Sequence, residues 1–175
     1  MKNIDIHSLT IRDLQPSQFY ISDEKIENVK KWFDPKGLSN FESIPIKQLD
    51  GEIVITDGHT RLVVALLSGL ESVPLIWDED DLSWNMYREC VKECKKQGIL
   101  SPADLLKRIV SKEEYDIKWN KWCDEMQARV LSKLERSQTT GGGQFRGKRN
   151  LDESGKTGLD NHSCKRRNNR LKNKN

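Results

Sequence analysis

The sequence predicts a small α+β domain, built from a short mixed sheet and helices, with a helical C-terminal extension and a disordered basic tail. Three observations predict this arrangement. Residues 1–77 alternate short apolar runs with helical patterns and turn dipeptides, whereas residues 78–135 show helical patterns alone. Residues 136–175 are rich in Gly, Asn, Lys and Arg and contain too few apolar residues to form a core.

The first zone opens with a predicted short strand in "IRDLQPSQFYIS" and a loop around Pro16. Ser22 is a typical N-cap for the helix that follows, whose first turn is acidic. The dipeptide Asp34-Pro35 ends this helix, because the residue before a proline disfavours helical backbone. The predicted apolar stripe of the helix consists of Ile26, Val29 and Trp32 or Phe33.

The segments "SIPIKQL" and "EIVIT" flank Asp50-Gly51, which predicts a β-hairpin. The second strand leads into the loop "TDGH" and then into a helix over residues 60–68. This helix is apolar almost all round, and Gly69 ends it. The segment "SVPLIW" predicts a further short, buried strand.

The second zone begins after the acidic segment "DEDDL" with a predicted helix over residues 86–97. Ser101-Pro102 starts another helix, and Ser111 with Glu114 forms a capping box for a third, longer one. Large side chains recur on that last helix at helical spacing, namely Tyr115, Trp119, Trp122 and Met126. We expect them to pack back on the first zone rather than to form a ligand cage.

Four cysteines give little information about function. Cys90 and Cys94 share one helix face, which would suit a zinc or redox pair, but no CxxC spacing accompanies them. We therefore expect small hydrophobic side chains and no metal site. No apolar run approaches the roughly 18 residues of a membrane span, and the N-terminus lacks a signal-peptide pattern. The expectation is a cytoplasmic protein without a membrane partner.

The net charge of +3 is distributed unevenly along the chain. Residues 1–77 carry −3 and residues 78–135 carry −2, whereas residues 136–175 carry +8. Only the tail is basic. If it has a partner, we expect non-specific, salt-sensitive binding of nucleic acid.

Arg61 stands in the first turn of the predicted helix, where the helix dipole disfavours a cation. Gly58 lets the backbone approach a ligand closely, and helix N-termini bind anions, phosphate above all. A bound phosphate would reverse the penalty on Arg61. In the alternative, Arg61 pairs with Asp57 or with a glutamate, and the glycine serves a tight turn.

The stretch "LQPSQFYISDEKIENVKKWF … SIPIKQLDGEIVITDGHTRLVVALLSGLESVPL" resembles the ParB/sulfiredoxin-like domain over residues 9–77. The shared order is a Leu-Pro opening, a helix, a "PI" strand, a "DGH-R" loop, a helix and a "VP" strand. In this superfamily the loop and the following helix bind nucleotide phosphates. The resemblance therefore implies nucleotide binding by Gly58, His59, Thr60 and Arg61.

The residues of this loop differ between the protein classes of the superfamily and distinguish their reactions. Sulfiredoxins carry Gly-Cys-His-Arg, and His59 stands at the position of their cysteine, so sulfinic acid reduction has no thiolate nucleophile here. Partition-type ParB proteins carry Gly-Glu-Arg-Arg. Gly58 and Arg61 match that pattern, but His59 and Thr60 do not. The acidic second zone is also a poor surface for a DNA backbone, which argues against a ParB-type clamp.

Free serine kinases of the superfamily carry an Asp-Gly-x-His-Arg loop. Asp57, Gly58 and Arg61 match it, and Thr60 replaces the histidine. The resemblance implies that Asp57 accepts a hydroxyl proton or helps to hold Mg²⁺ beside the phosphates. In the alternative, Asp57 only shapes the loop through an Asx-turn.

Two further groups are candidates for the chemistry. A histidine at a strand-to-helix turn often hydrogen-bonds the backbone, but between a matching glycine and arginine we expect His59 to contact the ligand. Free serine kinases also use an upstream glutamate, for which Glu24 and Glu27 lie in the corresponding region; we assign Glu24.

The leading expectation is a nucleotide-binding protein for ATP, ADP or CTP with Mg²⁺. It would hydrolyse the nucleotide or pass phosphate to a small hydroxyl substrate such as serine. The alternative is a non-enzymatic ParB-like module in chromosome or plasmid partition or in transcription-related DNA binding. A third interpretation is an interaction domain whose loop has lost its ligand.

Overall fold

The computed structural model describes residues 4–139 and has the α+β architecture that the sequence predicts. Its strands and helices are β1 (Ile21–Ser22), α1 (Asp23–Lys30), β2 (Ile44–Leu49), β3 (Glu52–Ile55), α2 (His59–Leu67), β4 (Leu75–Trp77), α3 (Trp84–Lys96), β5 (Ile109–Val110), α4 (Lys112–Tyr115) and α5 (Lys121–Thr139). Short 3-10 helices occupy Ile6–Ser8, Ile11–Asp13, Leu38–Asn40 and Pro102–Lys107.

A three-stranded mixed sheet in the order β3-β2-β4 forms the centre of the first zone. The hairpin between β2 and β3 is confirmed. Asp50 and Gly51 both have positive φ, 52° and 87°, as a two-residue hairpin turn requires. Strand β4 runs parallel to β2 at the opposite edge, so the strand predicted in "SVPLIW" is also present. It is not buried as predicted, because an edge strand leaves Ile76 53 % exposed.

The N-terminal segment differs from its predicted strand. Ile11–Asp13 forms a 3-10 helix, and Gln15 makes one isolated bridge to Val54. The Asp13 carboxylate accepts hydrogen bonds from the Thr10 hydroxyl and backbone N–H at 2.7 Å, and these bonds hold the pKa of Asp13 below its usual value. Such local side-chain bonds compete with strand pairing, which explains the difference.

Helix α1 begins where predicted and ends at Lys30, before the predicted stripe is complete. Ile26 and Val29 are buried, whereas Trp32 lies beyond the helix and is exposed. The hydroxyl of Ser22 makes no capping bond, and the Asp23 carboxylate instead accepts the N–H of Glu24. The helix start was thus predicted correctly, but the capping side chain was not.

Helix α2 is packed on two sides, which accounts for its almost uniformly apolar sequence. Leu62 and Ala65 join the core between the helix and the mixed sheet. Val63 and Val64 belong to a second core with α1 and the C-terminal helices. The helix ends at Leu67, and Gly69 follows with a φ of 81°, as predicted.

The predicted helical extension is confirmed. Helix α3 starts at Trp84, two residues before the prediction, and Pro102–Lys107 is a 3-10 helix. Ser111 caps α4 by accepting the N–H of Glu114, and a π-helical segment, Asp116–Asn120, joins α4 to α5.

The aromatic side chains of this extension pack on the first zone, as expected. Phe19 makes edge-to-face contacts with Trp119 and Trp122, with ring centroids 5.0 and 4.9 Å apart. Cys90 and Cys94 are buried in the same core, consistent with small hydrophobic side chains.

Helix α5 continues to Thr139, four residues past the predicted boundary at 135. The prediction of disorder beyond that point concerns residues 140–175, which lie outside the described residues. Within residues 4–139, no helix combines the length and the apolar character needed to cross a bilayer.

Candidate functional site

The loop between β3 and α2 is shaped by Gly58, the N-cap residue of α2. Gly58 has a φ of 85°, a left-handed conformation that favours glycine. A Cβ at this position would lie 2.6 Å from Cδ1 of Ile44 and 2.9 Å from Nη2 of Arg61. Ile44 is completely buried and has little room to move. The loop therefore needs glycine both for its backbone angle and for close packing.

The side chain of Arg61 is only 14 % exposed and lies at the start of α2. Its guanidinium is 5.9 Å from the ring centroid of Phe41 and donates a hydrogen bond to the backbone carbonyl of Glu42. The Glu42 carboxylate is 3.7 Å away. This is the predicted alternative in which Arg61 pairs with a glutamate, here Glu42. Because the Glu42 carboxylate is mostly exposed, the ion pair itself contributes little stability.

Asp57 both shapes the loop and faces a cavity. Its Oδ1 accepts the N–H of Gly58 at 2.7 Å, so the loop-shaping role that we considered is present. The same residue lines a cavity of about 700 Å³, together with Arg61 and Thr56. The structure thus brings Asp57 and Arg61, the outer residues of the DGHTR loop, to one cavity.

The sheet explains why this cavity forms here. Ile55 and Trp77 end β3 and β4, and both are paired with Ile46 on the central strand. Thr56 and Asp78, which directly follow the two strands, both donate their backbone N–H to β2, to the carbonyls of Pro45 and Ile46. The Thr56 hydroxyl donates a hydrogen bond to the Asp78 carboxylate across this junction.

The rim of the cavity is strongly acidic. Five carboxylate residues line it, namely Glu42, Asp57, Asp78, Glu79 and Asp80. Among the lining residues that the structure describes, Arg61 is the only cationic side chain. A bare phosphate would meet net repulsion here, and a divalent cation bound with the phosphate would reduce that repulsion. Among residues 4–139, no three His, Cys, Asp or Glu side chains are grouped so as to hold a metal by themselves.

The cavity also contains groups that the sequence analysis missed. Tyr87 from α3 is buried, and its hydroxyl donates to the carbonyl of Thr56 at 3.0 Å. Pro45 and Ile76 are neighbours on β2 and β4 and provide apolar surface. One signal was present in the sequence, because the acidic segment "DEDDL" directly follows a predicted strand.

His59 lies in the interior, not at the cavity where we predicted it. It is only 2 % exposed, and its Nε2 accepts the backbone N–H of Ser17 at 3.0 Å. The Ser17 hydroxyl in turn donates to the carbonyl of Ile55 at 2.6 Å. His59 therefore ties the N-terminal segment to the loop and to α2, a structural role for the side chain.

The remaining predicted residues do not line the cavity. Glu24 is exposed in the first turn of α1, where its charge acts on Lys112 and adds to the effect of Asp116 in raising the pKa of that lysine. Glu27 pairs with Lys30 at 2.8 Å on the same helix. Thr60 is half-buried in the first turn of α2. The predicted catalytic set of Asp57, His59 and Glu24 is thus not assembled around this cavity.

No protein-family model, no curated protein and no solved structure gave a match. The residues and geometry of the site are therefore the basis for a functional proposal.

Proposed function

We propose that the cavity at the start of α2 binds a nucleotide, ATP, ADP or CTP, as its Mg²⁺ complex. The observation that carries this proposal is the convergence of Asp57 and Arg61 on one cavity beside the N-terminus of a helix. Helix N-termini and arginine bind phosphate, and Mg²⁺ is usually held by one or two carboxylates together with the phosphates of the substrate.

The charge of the rim supports the magnesium complex over the bare nucleotide. Arg61 provides one positive charge against five carboxylates. Asp57 and Asp78 carry oxygen ligands of the kind that Mg²⁺ prefers. When bound, the ion would offset the negative charge of the phosphates beside these carboxylates.

The resemblance to the ParB/sulfiredoxin-like domain supports the same assignment. Gly58 and Arg61 match the phosphate-binding loop of that superfamily, and Asp57 matches the loop aspartate of the free serine kinases. Thr60 and the interior position of His59 depart from the pattern. We therefore place the phosphate contact on Arg61.

Phosphate transfer to a small hydroxyl substrate such as serine is the reaction we propose for this site. The carboxylate of Asp57 would accept the hydroxyl proton while the substrate oxygen attacks phosphorus. A new O–P bond forms, and the bond to the leaving nucleotide breaks. Hydrolysis is the same step with water as the acceptor. Glu24 has no part in this proposal.

The alternative, a non-enzymatic ParB-like module in partition or transcription-related DNA binding, rests on the basic tail. Residues 1–77 and 78–135 are each net negative, so the chain offers DNA a net positive charge only in residues 136–175. Acidic segments repel a DNA backbone. Sequence-specific DNA binding that survives deletion of the tail would favour this alternative over nucleotide binding.

The test is calorimetric titration of Arg61→Ala with the Mg²⁺ complexes of ATP, ADP and CTP. Loss of a charge-assisted phosphate contact, worth about 1.5–3 kcal/mol, should weaken binding by roughly 10- to 150-fold. Arg88→Ala is the matched control, because Arg88 also pairs with a carboxylate but lies outside this cavity. Equal affinities for the parent chain and Arg61→Ala would refute the assignment.

A further inference from the structure

The floor of the cavity is an apolar surface on the mixed sheet. Pro45 and Ile76 are register partners on β2 and β4, so their side chains lie on the same face. Both residues line the cavity, together with Leu82. Ile76 is 53 % exposed, which leaves a large apolar side chain uncovered beside the acidic rim.

The helix that covers this face of the sheet stops short of Ile76. On the hairpin side, α3 closes the face through one small core made of Leu49, Val54, Tyr87 and Val91. Strand β4 lies at the other edge of the sheet. The apolar strip between the start of α3 and β4 therefore opens into the cavity that Asp57 and Arg61 also line.

We infer that this strip, with Ile76 at its centre, receives the nucleoside part of the ligand. The inference rests on the proposed function, which places the phosphates at Arg61. If the phosphates are bound at Arg61, the nucleoside lies in the remaining part of the same cavity. Its volume of about 700 Å³ lies within the range of small-molecule sites, roughly 300–1,000 Å³.

The composition of the cavity fits a ligand with charged phosphates at one end and a nucleoside at the other. Small-molecule sites are mostly apolar, with a few polar groups that fix orientation. Here the charged groups lie at Glu42, at the DGHTR loop and in the segment 78–80, whereas Pro45 and Ile76 form the apolar surface on the sheet. Ile76 thus contributes affinity for nucleosides over bare polyphosphates.

The test compares three ligands in calorimetric titrations of the full chain: Mg²⁺·ATP, Mg²⁺·CTP and Mg²⁺·tripolyphosphate. The variant is Ile76→Asn, which makes the strip polar without adding charge. Ile117→Asn is the matched control, since Ile117 is 67 % exposed in the π-helical segment before α5 and does not line the cavity.

At least one nucleotide should bind about tenfold more tightly than tripolyphosphate. Ile76→Asn should remove most of this difference and leave tripolyphosphate affinity unchanged, which also shows that the variant is folded. Ile117→Asn should behave as the parent chain.

Three results would overturn the inference. Equal affinities for nucleotides and tripolyphosphate would refute the nucleoside strip and leave the phosphate site standing. Absence of binding by all three ligands would refute the proposed function as well. If Ile76→Asn leaves nucleotide affinity unchanged but alters the sedimentation of the chain, the strip is instead a contact with a second copy of the chain.

Discussion

The position of the Arg61 side chain depends on the absence of a side chain at Gly58. The guanidinium of Arg61 packs so close to the Gly58 backbone that a methyl group on Gly58 would displace it. The same methyl group would press on the buried Ile44. The glycine therefore positions the cation as well as turning the chain.

Gly58→Ala should accordingly destabilise the fold and weaken nucleotide binding. The left-handed backbone alone costs a non-glycine residue roughly 1–2 kcal/mol. Gly69→Ala is the matched control, because Gly69 follows the same helix with a φ of 81° and has open space around its Cα. Denaturant unfolding should show a larger loss for Gly58→Ala. Equal losses would mean that the contacts with Ile44 and Arg61 carry no cost.

The DGHTR loop shows which site residues sequence reasoning can find. Asp57 and Arg61 were predicted from the loop, and the structure brings both to the cavity. His59 was assigned to the ligand because it stands between matching residues, but its imidazole points inward to Ser17. Adjacent residues at a helix start point in different directions, and only the packing of the N-terminal segment determines which of them faces the core.

At the scale of elements, short sequence patterns predicted the turns and the helix end correctly. They did not predict which residues the pairing of distant strands brings together. The Asp50-Gly51 turn, Gly69 and the apolar run of α2 specify their structures within a few residues. The cavity residues Thr56 and Ile76 could not be found in this way. Their position depends on the pairing of β3 and β4 with Ile46, a pairing between segments distant in sequence.

The hairpin turn is fastened to α3 by charged pairs. Asp50 accepts two hydrogen bonds from Arg88, at 2.8 and 3.1 Å, and Glu52 pairs with Lys95. The hydrogen bonds from Arg88 hold the pKa of Asp50 below its usual value. The pair is exposed, so its effect on stability is small and is screened by salt.

Arg88→Gln should therefore raise the pKa of Asp50 towards the ordinary aspartate value, which carbon-detected NMR titration of the carboxyl group measures. A carboxyl with a lowered folded-state pKa stabilises the fold above its unfolded-state pKa, near pH 4. That contribution is lost as the pH falls through the folded-state pKa. The small loss of unfolding free energy on acidification that comes from Asp50 should accordingly be smaller in Arg88→Gln. An Asp50 pKa that does not change would contradict the bidentate pair.

At the scale of the whole molecule, the first zone and the extension share a core. Phe19 from the first zone packs edge-to-face against both Trp119 and Trp122 of the extension. The helical segment 78–135 is thus bound to the α+β part by aromatic packing.

Deletion of residues 140–175 should leave the melting temperature and nucleotide binding almost unchanged. It should abolish any retention of the chain on DNA or RNA at low salt, because such binding depends on the release of counterions by a basic segment. Thermal unfolding and electrophoretic mobility shifts at several salt concentrations measure the two effects. A large drop in melting temperature would show that the tail packs on the folded part.

The central position of α2 has a consequence for the timescale of local opening. Because apolar cores cover two sides of this helix, we expect its amide hydrogens to exchange with deuterium only when the cores come apart, which is unfolding of the whole. The DGHTR loop is attached to the N-terminal end of this slowly exchanging helix. A ligand held there would therefore slow every amide that exchanges only by unfolding of the whole, and not the amides of the loop alone.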